Sequence, residues 1–157
     1  MEHAAVGSVG GIEGVYRAEI ARLWRALMLS FGDREVASDA VAEAFAQLLA
    51  RGDGVRDQAA WVWRAAFRIA AGQMKERAMH DGGVPEVAVD QPESVTDLLR
   101  ALAVLTTAQR TAVVLADYAG YRHGEIASMV GATAGTVAVR IHRGRRRLRE
   151  LLEERDD

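Results

Sequence analysis

A chain of 157 residues, half of them apolar and with a net charge of −2, is long enough for one domain or two small ones and can bury a core unaided. It has no cysteine, which excludes a disulfide framework, a thiolate nucleophile and a Cys-based zinc site. No apolar run approaches the roughly 18 residues that span a bilayer, and the opening MEHAAVGSVGGIEG lacks the basic start and apolar stretch of a signal peptide, so a cytoplasmic protein without membrane insertion is expected.

In chain order, residues 1–12 are Gly-rich and read as a disordered tail. Tyr16, Ile20, Leu23, Leu27 and Phe31 then repeat at spacings of three and four, the pattern of one buried helix face, and Gly32 is placed to end that helix. Asp33 can cap a second helix whose apolar stripe is Ala37, Val41, Ala44, Phe45 and Leu48, broken by the RGDG turn at Arg51 to Gly54. Asp57 can cap a third, running to about Met79. These helices make an N-terminal unit over 13–79. Both prolines, Pro85 and Pro92, fall in HDGGVPEVAVDQPES, which lacks helical periodicity and marks 80–94 as a linker.

Beyond it, Val95 to Leu105 reads as a short helix and Thr107 can cap another reaching Tyr118, ended by Gly120. A very short helix over Glu125 to Val130 is followed by Gly131. Thr133 then caps a final helix from about Ala134 to Glu154, completing a C-terminal unit over 95–155. The fold class expected is all-α, two small helical domains joined by an acidic linker.

Charge is unevenly spread. Asp81 to Asp97 holds five acids and no base, whereas Arg140 to Arg149 holds six arginines and no acid, so local fields of opposite sign can face different partners. A short helix, a turn containing Gly131 and a longer helix with a basic side form a helix-turn-helix, whose second helix enters the major groove. Ile126, Val130, Val137, Ile141, Gly144, Leu148 and Leu151 recur at helical intervals and would clamp these helices together. Thr136, Arg140, Arg143 and Arg147 follow one another at three or four residues on another side, where they can reach one groove or phosphate track. A solvated arginine face is the competing reading.

The segment LTTAQRTAVVLADYAGYRHGEIASMVGATAGTVAVRIHRGRRRLRELL is similar, without a gap, to the promoter-binding C-terminal domain of bacterial sigma-70 family factors of the extracytoplasmic-function (ECF) group. Gln109, Arg110, Glu125, Gly131, Arg140, His142 and Arg143 are among the matching positions. GDREVASDAVAEAFAQL resembles the ECF helix that docks on the β′ clamp helices of RNA polymerase, and AWVWRAAFRIA the following helix, which opens and reads the promoter −10 element. The resemblance runs from about Tyr16 to Leu152. It implies a promoter-directing sigma factor with core RNA polymerase (β′ clamp helices and β flap), promoter DNA and an anti-sigma factor as partners, and with no catalytic residue, cofactor or metal. It implies −35 contacts from Thr133, Thr136, Arg140, His142, Arg143 and Arg147, and polymerase contacts from Asp39, Glu43 and Gln47.

For the −10 element the candidates are Arg64, Arg68, Lys75 and Trp63. The three cations, four and seven residues apart, make a basic track on the third helix, with Trp61, Ala65 and Ile69 facing the core. Trp63 and Phe67 pair at i, i+4 on a different side, and two readings stand for them: a stacking surface for single-stranded DNA, or core. The acidic linker likewise suits either plain solubility or, as in related factors, passage near the polymerase cleft and RNA exit path.

Departures from the family pattern leave a second function open. Arg68 and Gly72 replace the usual Asn and Asp, Ala42 replaces a Gln, and Ala138 followed by Val139 replaces a basic residue followed by Ser, removing polar groups from the groove-facing start of the last helix. A sigma-like DNA-binding regulator that does not open promoters is the alternative. Enzyme function is not expected: His123–Glu125 gives an H-x-E without the Cys ligands of zinc deaminases, and neither H-E-x-x-H nor a phosphate-binding G-x-x-x-x-G-K-[ST] loop is present.

Overall fold

The computed structural model describes the backbone of residues 2–81 and 93–156. All regular structure there is helical: α1 (Glu2–Phe31), α2 (Arg34–Arg51), α3 (Gln58–Asp81), α4 (Glu93–Ala103), α5 (Thr107–Val113), α6 (His123–Val130) and α7 (Ala134–Asp156). A 3₁₀ turn (Gly52–Gly54) follows α2, and α5 continues into a π turn (Val114–Tyr118). Most of the linker expected over 80–94 lies outside the described residues. Its edges are helical, α3 ending at Asp81 and α4 beginning at Glu93.

Local chemistry sets the helix ends. Gly32, at φ 68°, donates its N–H to Met28 O at 2.8 Å. Asp33 and Asp57 accept from Val36 N and Ala60 N, each at 3.0 Å. Thr133 receives Thr136 N at 3.2 Å, and Gly131 takes the left-handed conformation that ends α6.

Three expectations are corrected. The Gly-rich segment read as a tail is helical from Glu2, because Ile12, only 7% exposed, anchors α1 in the core, and extending an anchored helix is far cheaper than starting one. The cap of α5 is Thr106, not Thr107, since only Thr106 has a Gln three residues on: Gln109 N donates to Thr106 Oγ1 at 3.1 Å and Thr106 N to Gln109 Oε1 at 3.4 Å. Helix α6 starts at His123, two residues early, where Arg122 N donates to Glu125 Oε1 at 2.9 Å.

Helices α1 to α3 pack around Leu27, Phe31, Val41, Leu48, Val62 and Phe67, all buried, while Tyr16 meets Phe45 edge-on at 5.0 Å from a half-exposed position. Helices α4 to α7 form the second lobe. There α7 crosses α5 so closely that a Cβ on Gly144 would lie 2.6 Å from Val113 Cγ2. The lobes are not separate bodies in this conformation: α3 packs on α6, α1 packs on α4, α5 and the π turn, and a single apolar core runs through both.

Candidate promoter and polymerase surfaces

Helices α6 and α7 meet through Ile126, Val137 and Ile141, each at most 1% exposed, so the turn at Gly131 is rigidly backed. The opposite side of α7 is open. Thr133, Thr136, His142, Arg143 and Arg147 are exposed and Arg140 is half-buried. Thr133 Oγ1 donates to Thr136 Oγ1 at 3.0 Å, leaving both hydroxyls at the start of α7.

The arginines of α7 are not equivalent. Arg145 reaches across to Asp117 in the π turn, and this hydrogen bond is the main cause holding its pKa above the usual arginine range. Arg146 and Arg147 both approach Glu150, at 3.4 and 3.3 Å, and Arg155 approaches Asp97 at 3.5 Å. Among the described residues, Arg140, Arg143 and Arg149 have no ion-pair partner. They are the cations of α7 free to meet an anion at no cost in existing pairs.

On α3, Arg64, Arg68 and Lys75 are exposed, as the basic track requires. Of the two tryptophans on α3, Trp63 takes the core alternative of its two readings, and Trp61 departs from the core place expected for it. Trp63 is fully buried, and Trp61, assigned to the core, is half-buried with the Arg51 guanidinium 5.4 Å from its ring centroid. The cause is the second lobe, which covers the side of α3 left open when α1 to α3 are considered alone. Trp63 stacks on Phe67 (6.1 Å, 8° between planes), meets Tyr121 at 5.5 Å and donates Nε1–H to Glu19 Oε2 at 2.9 Å. Here both rings of the proposed stacking pair are core. Burial, then the nearby Glu19 carboxylate, pushes the Tyr121 hydroxyl up to about 12.

A groove of about 600 Å³ runs between the lobes, floored by Phe31, Phe67 and Met129, and Arg64, Arg68 and Arg140 all line it. Candidate residues for two different promoter elements thus face one cavity, whereas Lys75 lies two turns further along α3. On α2, Asp39 and Glu43 are exposed, have no ion-pair partner among the described residues, and Gln47 Nε2 donates to Glu43 Oε1 at 3.3 Å. This is an acidic face backed by the buried Ala40, Ala44 and Phe45.

Sequence reasoning missed the polar groups that join the lobes. Arg110 Nε donates to Leu102 O (2.9 Å), Nη1 to Ser30 O (3.1 Å) and Nη2 to Leu105 O (3.1 Å), and burial lowers its pKa. Arg22 donates Nη2–H to Ala119 O and lies 5.3 Å from the Trp63 ring centroid. No local signal marks either role, because each acts across a sequence separation of 80 residues or more. Among the described residues there is no group of three potential metal ligands and no helix long and apolar enough to cross a membrane.

Residues 96–148 match the family model for sigma-70, region 4. The chain is 30% identical over 162 residues to an RNA polymerase sigma-E factor of Streptomyces avermitilis, covering 97% of this chain and 90% of the relative. It is 31% identical over 158 residues to a probable ECF RNA polymerase sigma factor, SigI, of Mycobacterium tuberculosis, covering 88% of this chain but spanning only 54% of the relative. Two solved structures share the fold: the Bartonella quintana sigma factor RpoE in complex with the anti-sigma factor NepR (TM-score 0.77, 23% identity, 90% of this chain and 96% of that one), and CnrH in complex with the cytosolic domain of CnrY (TM-score 0.73, 22% identity, 98% and 94%). With a relative matched over nearly its whole length and a region 4 that coincides with the helix-turn-helix, the chain belongs to the ECF group of sigma-70 family sigma factors.

Proposed function

We propose that this chain binds core RNA polymerase and directs promoter-specific initiation, with Asp39, Glu43 and Gln47 docking on the β′ clamp helices, α3 reading and opening the −10 element, and α6–α7 reading the −35 element beside the β flap. The observation that carries this reading is the pair of ion-pair-free arginines, Arg140 and Arg143, on the second helix of a helix-turn-helix within the region 4 match. An arginine without a carboxylate partner can bind a guanine edge or a phosphate without first breaking an internal pair. The N-terminal domain is taken as 13–79 and the C-terminal one as 95–155. Action in the cytoplasm, and control by an anti-sigma factor like the partners of RpoE and CnrH, belong to the same proposal.

A second reading has a specific basis. Gly72, Ala138 and Val139 stand where the family has polar groups, and Trp63 is buried, which favours a regulator that binds duplex DNA without opening it. Co-elution with core polymerase, followed by run-off transcription on a genomic promoter library, separates the two. A sigma factor gives both signals, and a stand-alone regulator binds duplex DNA and gives neither.

A further inference from the structure

Arg64 and Arg68, one turn apart on α3, and Arg140 of α7 line one groove. Among the described residues none of the three has an ion-pair partner, and no carboxylate belongs to the lining. The chain thus supplies no counter-charge to three guanidiniums gathered around one hollow. The floor is apolar, made by Phe31 and Phe67, whose ring centroids lie 5.9 Å apart, and by Met129. Hydroxyls of Thr107, Thr111 and Ser128 complete the lining. Ser128 donates its proton to Gly124 O at 3.3 Å, which leaves its oxygen able to accept.

Size and charge select the occupant. A hollow of about 600 Å³ falls within the roughly 300–1,000 Å³ that takes a drug-sized molecule and is too small for a duplex. A DNA backbone would also leave the apolar floor unused. A carboxylate on an acyl chain covers the floor but sets one charge against three. A phosphate monoester carries about −1.5 to −2 at neutral pH, so a di- or triphosphate comes closer to balancing three guanidiniums, whose planar forks pair bidentately with phosphate oxygens.

We infer that this groove binds a nucleoside di- or triphosphate, with the base against Phe31, Phe67 and Met129 and the phosphates held by Arg64, Arg68 and Arg140. The hydroxyls of Thr107 and Ser128 are then the groups that meet the base edge or the ribose. A nucleotide bound there occupies three arginines that the promoter reading assigns to DNA, so it competes with DNA for the same side chains. That consequence rests on the promoter reading, whereas the binding itself does not.

Calorimetric titration of the full chain at low salt, without DNA, compares ATP, GTP, inorganic triphosphate and monomeric dodecyl phosphate. At least one of the two nucleotides is expected to bind about tenfold more tightly than triphosphate, because only the nucleotide also covers the apolar floor. Arg64→Ala, Arg68→Ala and Arg140→Ala should each weaken that binding about tenfold, the worth of a hydrogen bond to a charged group. Arg25→Ala, which removes an exposed cation on α1 outside the groove, should leave it unchanged. Ala71→Trp and Ala108→Trp keep every charge and place a ring in the hollow from exposed positions. They should abolish nucleotide binding, with helix content and melting confirming that each is folded. Binding of neither nucleotide, equal affinity for nucleotide and triphosphate, or nucleotide binding that survives both tryptophan variants overturns the proposal. Preference for dodecyl phosphate over both nucleotides also overturns it and gives the groove to an acyl chain. A fluorescein-labelled duplex then connects the site to DNA: saturating nucleotide should weaken duplex binding by the parent but not by the tryptophan variants. Nucleotide binding as stated with duplex affinity unmoved supports the site and removes Arg64, Arg68 and Arg140 from the DNA contacts. Duplex binding without nucleotide binding overturns the nucleotide site and leaves the promoter reading standing.

Discussion

The Arg145 guanidinium grips the Asp117 carboxylate through Nε at 3.0 Å and Nη2 at 2.5 Å, tying the middle of α7 to the π turn 28 residues earlier. Both side chains are about half exposed, so this pair contributes about 0.2–1 kcal/mol to stability. Its larger effect is on charge available to DNA. Arg145→Ala should leave the salt dependence of duplex binding unchanged, and Asp117→Asn, by freeing the arginine, should steepen the log–log slope by up to about one unit. Titrations at several salt concentrations measure both.

Arg140 and Arg143 lie three residues apart on α7, without a carboxylate partner among the described residues. Truncating either to Ala should cost about 1–3 kcal/mol on the correct upstream element and relax preference among sequences. Arg149→Ala should weaken all duplexes alike and lower the salt slope by about one unit. Arg147→Ala should do less, because Glu150 already holds that side chain at 3.3 Å. Ala138→Arg should strengthen upstream-element binding at little helical cost. If sequence discrimination survives both Arg140→Ala and Arg143→Ala, and Ala138→Arg is silent, α7 is not the reading helix.

At Gly144 the backbone of α7 touches α5. A Cβ there meets Val113 Cγ2 at 2.6 Å and Gln109 O at 3.5 Å, so Gly144→Ala should destabilise the chain by about 1–3 kcal/mol through overpacking. Adding Val113→Ala should recover part of that loss. Urea unfolding of the two single variants and the double variant measures the coupling.

On α2, variants can separate the proposed docking from folding. Asp39→Arg with Glu43→Arg changes two exposed side chains and should abolish co-elution with core polymerase while leaving helix content and melting unchanged. Phe45, 5% exposed and packed beneath that face, should instead cost about 3–5 kcal/mol on truncation to Ala. A double variant that still co-elutes removes α2 from the docking surface.

Most of the helices were legible because their ends are written in adjacent residues: Asp33, Asp57 and Thr133 as caps, Gly32 and Gly131 as stops. The choice between Thr106 and Thr107 was also readable, since only Thr106 has Gln109 in the reciprocal position. Trp63 was not. Its i, i+4 pairing with Phe67 fits a stacking platform and a core equally well, and the deciding contact, Tyr121, lies in the connection before α6, in the lobe that sequence reasoning treated as independent. Arg110 stands in the family's matching set, but nothing near it in the chain indicates that it reaches back to Ser30. The cations of α7 were legible as a cluster, yet their sorting into paired and unpaired required the positions of Asp117, Glu150 and Asp97.

The π turn between Val114 and Tyr118 closes with Ala119 N on Val114 O at 3.0 Å, five residues back instead of four. One surplus residue in a helix displaces everything after it by about 100° around the axis. Removing that residue would restore regular α-helical spacing, but Asp117 and Tyr121 could no longer both keep their present azimuths, the first toward Arg145 and the second toward Trp63. The ion pair that steadies α7 and the ring that covers Trp63 on α3 therefore share one register. A single-residue deletion here would disturb both lobes at once, whereas the same deletion in an exposed helix end would disturb neither.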